Sequence, residues 1–163
     1  MSGPKTTAEI ELRPADASDI ELLVEFNQAH AAEVEDKGLD AQVLRKGIAH
    51  LMDEPRDGFY LIADVLSDSD KGSVAAGTLM VTTEWSDWRN AQFWWIQSVY
   101  VRPQYRRNGV YSALHNEVAA RARAANACGL RLYVEKDNSG AQATYRNHGM
   151  DETYYLMFED DWS

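Results

Sequence analysis

Cys128 is the only cysteine in the sequence. It excludes an internal disulfide and cannot build a zinc site, so a reducing, cytoplasmic setting is the simpler expectation. The four histidines, His30, His50, His115 and His148, stand at no metal-ligand spacing, and no metal centre is expected. No apolar run approaches the roughly 18 residues of a membrane span. Met1–Ala8 is polar and lacks the apolar stretch of a secretory signal. Repeats, low-complexity blocks and linkers are also missing, and 163 residues, 45% of them hydrophobic, suit one domain over residues 1–163.

Basic residues are scarce: 16 against 26 acidic, for a net charge of −10. The imbalance is local. Residues 1–70 hold 16 acids and 6 bases, whereas residues 71–163 hold 10 of each. An acidic half repels nucleic acid and favours a cationic partner, or simply aids solubility. Without a basic recognition helix, a DNA-binding role is poorly supported. One window runs against the trend: between Asp87 and Glu117 stand Arg89, Arg102, Arg106 and Arg107 and no acid. Such a cluster suits a polyanionic ligand.

Periodicity and punctuation give a mixed order of elements. Ile10–Arg13 reads as a first strand. Asp16 or Ser18 can cap a helix through about Glu35, with Ile20, Leu23, Asn27, Ala31 and Val34 on one stripe. A second helix, about Ala41–Met52, carries Leu44, Ile48 and Leu51 and ends at Glu54-Pro55. Phe59–Leu66 and Val74–Glu84 read as strands of a hairpin around the polar loop Ser67–Ser73. Ser86–Gln92 turns the chain into Phe93–Val101 (FWWIQSVYV), the strongest strand signal in the sequence. Pro103 stops that strand. A long helix follows from about Asn108 to Ala127, with Val110, Leu114, Val118 and Ala122 at steps of four and Gly129 as its stop. Leu130–Glu135 then reads as a strand, Gly140–His148 as a helix and Glu152–Glu159 as a closing strand. The βαβα stretch from Phe93 to His148 argues for an α/β layered sheet.

The chemistry concentrates where the arginine window meets the long helix. A helix N-terminus leaves backbone N–H groups unpaired and carries partial positive charge, so it can hold phosphate oxygens. Gly109 lets the backbone approach such a ligand, and Arg106 and Arg107 add charge and paired donors. A phosphate-binding turn is plausible on these grounds alone.

The run Arg106-Arg107-Asn108-Gly109-Val110-Tyr111 resembles the Arg/Gln-x-x-Gly-x-Gly/Ala turn of the GNAT superfamily of acetyl-CoA-dependent N-acetyltransferases. The preceding Val-Tyr-Val-Arg-Pro-Gln-Tyr resembles that family's strand end and lead-in. Downstream, Asn138, Ala141 and Tyr145 are similar to its Asn-x-x-Ala-x-x-x-Tyr helix, and Gly149-Met150 stands where the family has Gly-Phe. Leu12-Arg13-Pro14-Ala15 suits its opening, so the likeness covers essentially the whole chain. Tyr111 departs from the pattern, standing where Gly or Ala is usual; its side chain would either crowd the ligand or point away and cover it.

The resemblance implies an α/β GNAT fold: a central mixed, mostly antiparallel twisted sheet flanked by about four helices. It implies acetyl-CoA as co-substrate and acetyl transfer to an amine. The backbone N–H of Val99 would polarise the thioester carbonyl, while Tyr100 and Val101 would pair with the pantetheine arm like an added strand. Residues Arg106, Arg107, Asn108, Gly109, Val110, Tyr111 and Ser112 would hold the pyrophosphate, and Asn138 the pantetheine chain. Tyr145 would protonate the departing thiolate, which suits a phenol of reference pKa about 10.

The general base stays open. Some family members carry an acid on the central strand at positions matching Trp95 and Gln97, neither of which can take a proton from an ammonium. Glu84, Glu135 and a water chain are the candidates. Trp85, Trp88, Trp94 and Trp95, with Glu84 and Asp87, could receive a cationic amine, or Trp94 and Trp95 could mostly pack core. Glu25, Glu33, Glu35 and Asp36 make the expected substrate wall acidic. The substrate class that follows is a small cationic amine, polyamine-like or a lysine-type side chain. Another acyl-CoA donor, or a catalytically silent acyl-CoA-binding or sensing domain, are the competing readings. The aromatic count and family habit also admit a homodimer; no nucleic-acid or membrane partner is expected.

Overall fold

A computed structural model describes residues 9–34, 38–66 and 72–162. Met1–Ala8, the first-helix end at Glu35 with Asp36, and positions 67–71 of the polar loop lie outside the described residues. The chain divides into two compact units, Met1–Leu132 and Tyr133–Ser163.

The first unit is a five-stranded sheet in the order β1-β2-β3-β4-β5. Strands β1 (Ile10–Pro14), β2 (Gly58–Leu66), β3 (Ser73–Ser86) and β4 (Ala91–Val101) pair antiparallel in succession, and β5 (Gly129–Arg131) runs parallel to β4. The helices of this unit are α1 (Ile20–Val34), α2 (Ala41–Asp53) and α3 (Val110–Ala124). Leu114 and Val118, with Val110, pack against Leu61, Leu79, Val81 and Ile96 on one face of the sheet. Leu23, Val24, Ile48 and Leu51 of α1 and α2 cover Tyr60 and Ile62 on the other. Leu61 and Ile62 are adjacent and point to opposite faces, and both are fully buried. This explains why β2 reads as an almost unbroken apolar run: both of its faces are covered. Each fully buried Leu, Ile or Val there contributes about 1.5–3 kcal/mol.

The sequence expectations for α1, α2 and β1–β4 hold to within a few residues. Asp16 caps a short 3-10 turn (Ala17–Asp19) that leads into α1, and Asp40, which the sequence reading did not single out, caps α2 through the N–H groups of Gln42 and Val43. The long helix is shorter than expected at both ends. Arg107 and Gly109 take left-handed backbone angles (φ 61° and 84°), which delays the start to Val110. Asn126 (φ 57°) supplies the left-handed stop instead of Gly129, and Gly129 opens β5.

Two further expectations are corrected. The strand expected over Leu130–Glu135 is confined to Gly129–Arg131, because its ladder with β4 ends at Arg131 opposite Trp95. No closing strand forms over Glu152–Glu159. In the second unit, α4 (Ser139–Asn147) is followed by residues 151–162, all exposed and irregular. A strand exists only through a neighbour that takes its N–H and C=O groups, and no ladder reaches this segment among the described residues. Tyr154, Leu156 and Phe158 are 86%, 72% and 90% exposed. No described helix is long and apolar enough to cross a membrane.

One polar cluster ties the sheet to the start of α1. Arg13 on β1 donates from both terminal nitrogens to Asp19 (2.7 and 2.9 Å) and from Nε to Asp64 on β2 (2.7 Å). The two carboxylates are buried, with side chains 8% and 11% exposed, while Arg13 is 36% exposed. The hydrogen bonds from Arg13 hold the Asp19 carboxyl below the usual carboxylate range. Arg13→Ala strands two buried carboxylates. It is expected to destabilise the fold by about 2–3 kcal/mol, below the figure for a fully buried pair because the arginine is partly solvated. Because the Asp19 pKa is lower in the folded chain, its stabilising contribution is present above about pH 4 and is lost as pH falls through that range. Urea melts from pH 7 to pH 3 check this: the acid loss should be smaller in Arg13→Ala.

Candidate active site

Strand β4 is where the sheet opens. It pairs with β5 at Phe93, Trp94 and Trp95, and the N–H of Cys128 donates to the Gln92 carbonyl just before them. From Ile96 to Val101, β4 has no strand partner on its β5 side among the described residues. On its other side the register slips in the same region. Between Leu79↔Val99 and Val81↔Ile96, β3 advances two residues and β4 three, so Gln97 and Ser98 form a bulge opposite Met80. A bulge leaves ladder groups unpaired and re-aims the backbone beside it. Val99, Tyr100 and Val101 therefore present an open strand edge immediately after a bulge.

The chain leaves this edge through a tight sequence of turns. The N–H of Arg102 donates to the Ala76 carbonyl (2.8 Å), and Pro103–Tyr105 forms a 3-10 turn. Arg106–Gly109 then turns into α3, whose N-cap is Gly109 with no side-chain cap. The first N–H groups of α3 thus have no side-chain cap, and two left-handed residues, Arg107 and Gly109, lead into them. Val110 is buried and anchors the helix start against the sheet. Its approach depends on Gly77, where a Cβ would lie 2.8 Å from the Tyr100 carbonyl and 3.1 Å from the Val110 side chain. Tyr111 packs against the core cluster, its ring 5.8 Å from that of His115, so its bulk is taken up on the protein side of the helix.

Arg102 and Arg106 are already engaged. Arg102 pairs with Glu25 (3.0 Å) and lies over the Phe26 ring. Arg106 donates from Nε to the Val101 carbonyl (2.8 Å) and from Nη2 to Glu33 (2.5 Å). Arg107 is exposed.

Side chains on the α1–α2 face of β3–β5 form a second cluster. Glu84 accepts from Arg131 (2.9 Å) and from the indole N–H of Trp95. Arg131 lies 3.6 Å from the Phe93 ring centroid, and Gln97 donates to Thr82 (3.0 Å). Trp94, on the opposite face, packs edge-on against Phe59. Trp85 and Trp88 are exposed.

Comparison with known proteins fixes the family. The Acetyltransferase (GNAT) family model matches residues 21–150. The chain belongs to the GNAT acetyltransferase family. Among solved structures, a possible acetyltransferase from Clostridium difficile 630 is 41% identical, with a TM-score of 0.83 over 93% of this chain and 97% of that one. A Trypanosoma brucei acetyltransferase (19% identity, TM-score 0.68, 93% and 99% covered) shares the fold. So does the aminoglycoside N-acetyltransferase AAC(6')-Iy in complex with CoA (14% identity, TM-score 0.76, 99% and 100% covered). No curated protein matches the chain.

In this GNAT chain the expected site residues fall on two stretches of sequence, one in each unit. Val99, Tyr100, Val101 and Arg106 to Ser112 lie along one strand–turn–helix passage of the first unit. Asn138, Ala141 and Tyr145 lie on α4 and its cap in the second. Asn138 proves to be the N-cap of α4: its side-chain oxygen accepts from the Ala141 N–H (3.0 Å). Burial pushes the Tyr145 phenol above its ordinary value. Glu135 is exposed, and its carbonyl accepts from Gln142. The sequence reading missed Arg131 as the partner of Glu84 and missed the Glu33–Arg106 pair. Neither has a local signature, since the partners are 47 and 73 residues apart.

A Cβ at Gly109 would meet no atom within 4 Å, so any cost of adding one lies in the backbone (φ 84°). Gly109→Ala is expected to lose about 1 kcal/mol, or roughly 2–4 °C in Tm. Gly109→Asn, whose side chain tolerates left-handed angles, should lose less. Paired thermal melts check the order.

Proposed function

We propose that the chain is an acetyl-CoA-dependent N-acetyltransferase that transfers the acetyl group directly to a small cationic amine in a ternary complex. The observation that carries this reading is the unpartnered edge of β4 after Trp95, leading within a few residues into the uncapped N-terminus of α3. An extended amide-bearing arm fits the first and a diphosphate the second. The same fold holds CoA in AAC(6')-Iy.

Acetyl-CoA supplies an activated acyl group on a thiol leaving group. The residues of this chain do the rest. The Val99 N–H donates to the carbonyl oxygen as negative charge develops there, and Tyr100 and Val101 orient the pantetheine arm. Arg107 and the backbone from Arg106 to Ser112 hold the diphosphate. Asn138 donates its amide to the arm. Tyr145, its phenol raised by burial, carries its proton at neutral pH and delivers it to the thiolate. The ammonium loses its proton to Glu84, Glu135 or a water chain. Both oxygens of Glu84 already accept, from Arg131 and Trp95, which favours the other two.

The net charge of −10, concentrated in residues 1–70, supports a cationic acceptor by long-range attraction. Direct pairing is less available, because Glu25 and Glu33 are matched to Arg102 and Arg106.

The test is calorimetric titration with acetyl-CoA followed by a panel of cationic, neutral and anionic amines. One-site binding and turnover of cationic amines are expected. Tyr145→Phe should then lower kcat by about 10²-fold or more with acetyl-CoA affinity within about twofold. Binding without turnover of any amine would make the chain an acyl-CoA-binding or sensing domain. Turnover of only neutral or anionic amines would overturn the acceptor class.

A further inference from the structure

The sequence keeps acids out of the arginine window, yet folding brings Glu25 to Arg102 and Glu33 to Arg106. Glu33, on the last turn of α1, accepts from Arg106 Nη2 at 2.5 Å and, more loosely, from the Tyr100 hydroxyl at 3.4 Å. Arg106 is folded back to meet it: its Nε is bound to the Val101 carbonyl, and its guanidinium lies 5.7 Å from the Tyr100 ring centroid. One of the two arginines of the turn is therefore turned toward α1. The pair is not locked in the interior, since the side chains of Arg106 and Glu33 are 43% and 39% exposed. An ion pair this exposed adds little net stability and exchanges readily. A phosphate oxygen can replace the carboxylate on the same fork with a stronger, paired contact. Until it does, the Glu33 charge opposes an incoming polyanion at short range.

We propose that Glu33 is a built-in competitor for the diphosphate of acetyl-CoA, holding Arg106 until a phosphate oxygen takes its place. The proposal rests on the reading of Arg106–Ser112 as the diphosphate turn. Glu25 provides the contrast. It makes a similar charge pair from the same helix, but its arginine, Arg102, lies over Phe26 and belongs to the strand end rather than the turn.

Acetyl-CoA titrations of the wild type, Glu33→Gln, Glu25→Gln, Arg106→Gln and the Glu33→Gln/Arg106→Gln double variant, at one fixed ionic strength, test it. Glu33→Gln should tighten binding about three- to tenfold. Glu25→Gln should change it by less than about 1.5-fold, and in the Arg106→Gln background removal of Glu33 should lose most of its effect. Acetyl-pantetheine, which lacks the diphosphate, should bind the wild type and Glu33→Gln alike. Wild-type binding with unchanged or weakened affinity in a cooperatively folded Glu33→Gln variant would overturn the proposal and make the pair a structural brace. An equal gain from Glu25→Gln would overturn it too, by reducing the effect to net charge. If no variant binds acetyl-CoA saturably, the diphosphate reading of the turn itself falls, and the proposal with it.

Discussion

Strand β4 can keep a parallel neighbour for only three residues, and the geometry of the first unit follows from that limit. Up to Trp95 it is an interior strand, bonded to β3 on one side and β5 on the other. Beyond Trp95 the bulge at Gln97–Ser98 changes the direction in which its backbone groups point, and β5 has ended. What remains is a strand with Ile96 and Tyr100 buried and, among the described residues, no strand partner along one edge. A strand edge without a partner offers its N–H and C=O groups to another extended segment. The left-handed turn and α3 are placed at the end of that edge because Gly77 lets Val110 settle directly against the β3–β4 pair.

Much of this passage was legible in the residues themselves. FWWIQSVYV is the strongest strand signal in the sequence, Pro103 stops it, and Val110, Leu114, Val118 and Ala122 recur at helical spacing and are all buried. Gly109 marked the turn as a place where the backbone can approach a ligand closely, and the structure adds that it takes a left-handed angle there. These are short-range signals, in which each residue constrains its own backbone. Family membership was legible for the same reason, since the turn and the Asn138–Tyr145 helix are local patterns.

What escaped the sequence reading depends on partners rather than patterns. The bulge arises from the match between β3 and β4, and neither strand alone reveals the extra residue. Residues 132–135 and 152–159 have strand-like composition, but composition cannot supply the ladder that turns an extended segment into a strand. Tyr111 was expected either to crowd a ligand or to point away and cover it; its ring packs against the core cluster beside His115, and that packing depends on partners the local sequence does not name. The ion pairs Arg102–Glu25, Arg106–Glu33 and Arg131–Glu84 join residues on different elements. They change the chemical meaning of the acids most: side chains that read as a free acidic wall, or as a base, are found already serving cations of the same chain.

The placement of the tryptophans gives the protein an optical asymmetry. Trp85, Trp88 and Trp162 are 60%, 87% and 91% exposed, so their emission differs little between the folded and unfolded chain. Trp94 and Trp95 are adjacent on β4 and point to opposite faces of the sheet, one against Phe59 and the other hydrogen-bonded to Glu84. Fluorescence changes on unfolding therefore report on a single strand, from both sides at once. Trp94 senses the α3-covered core, and Trp95 senses the charge of the half-open face where β3, β4 and β5 meet.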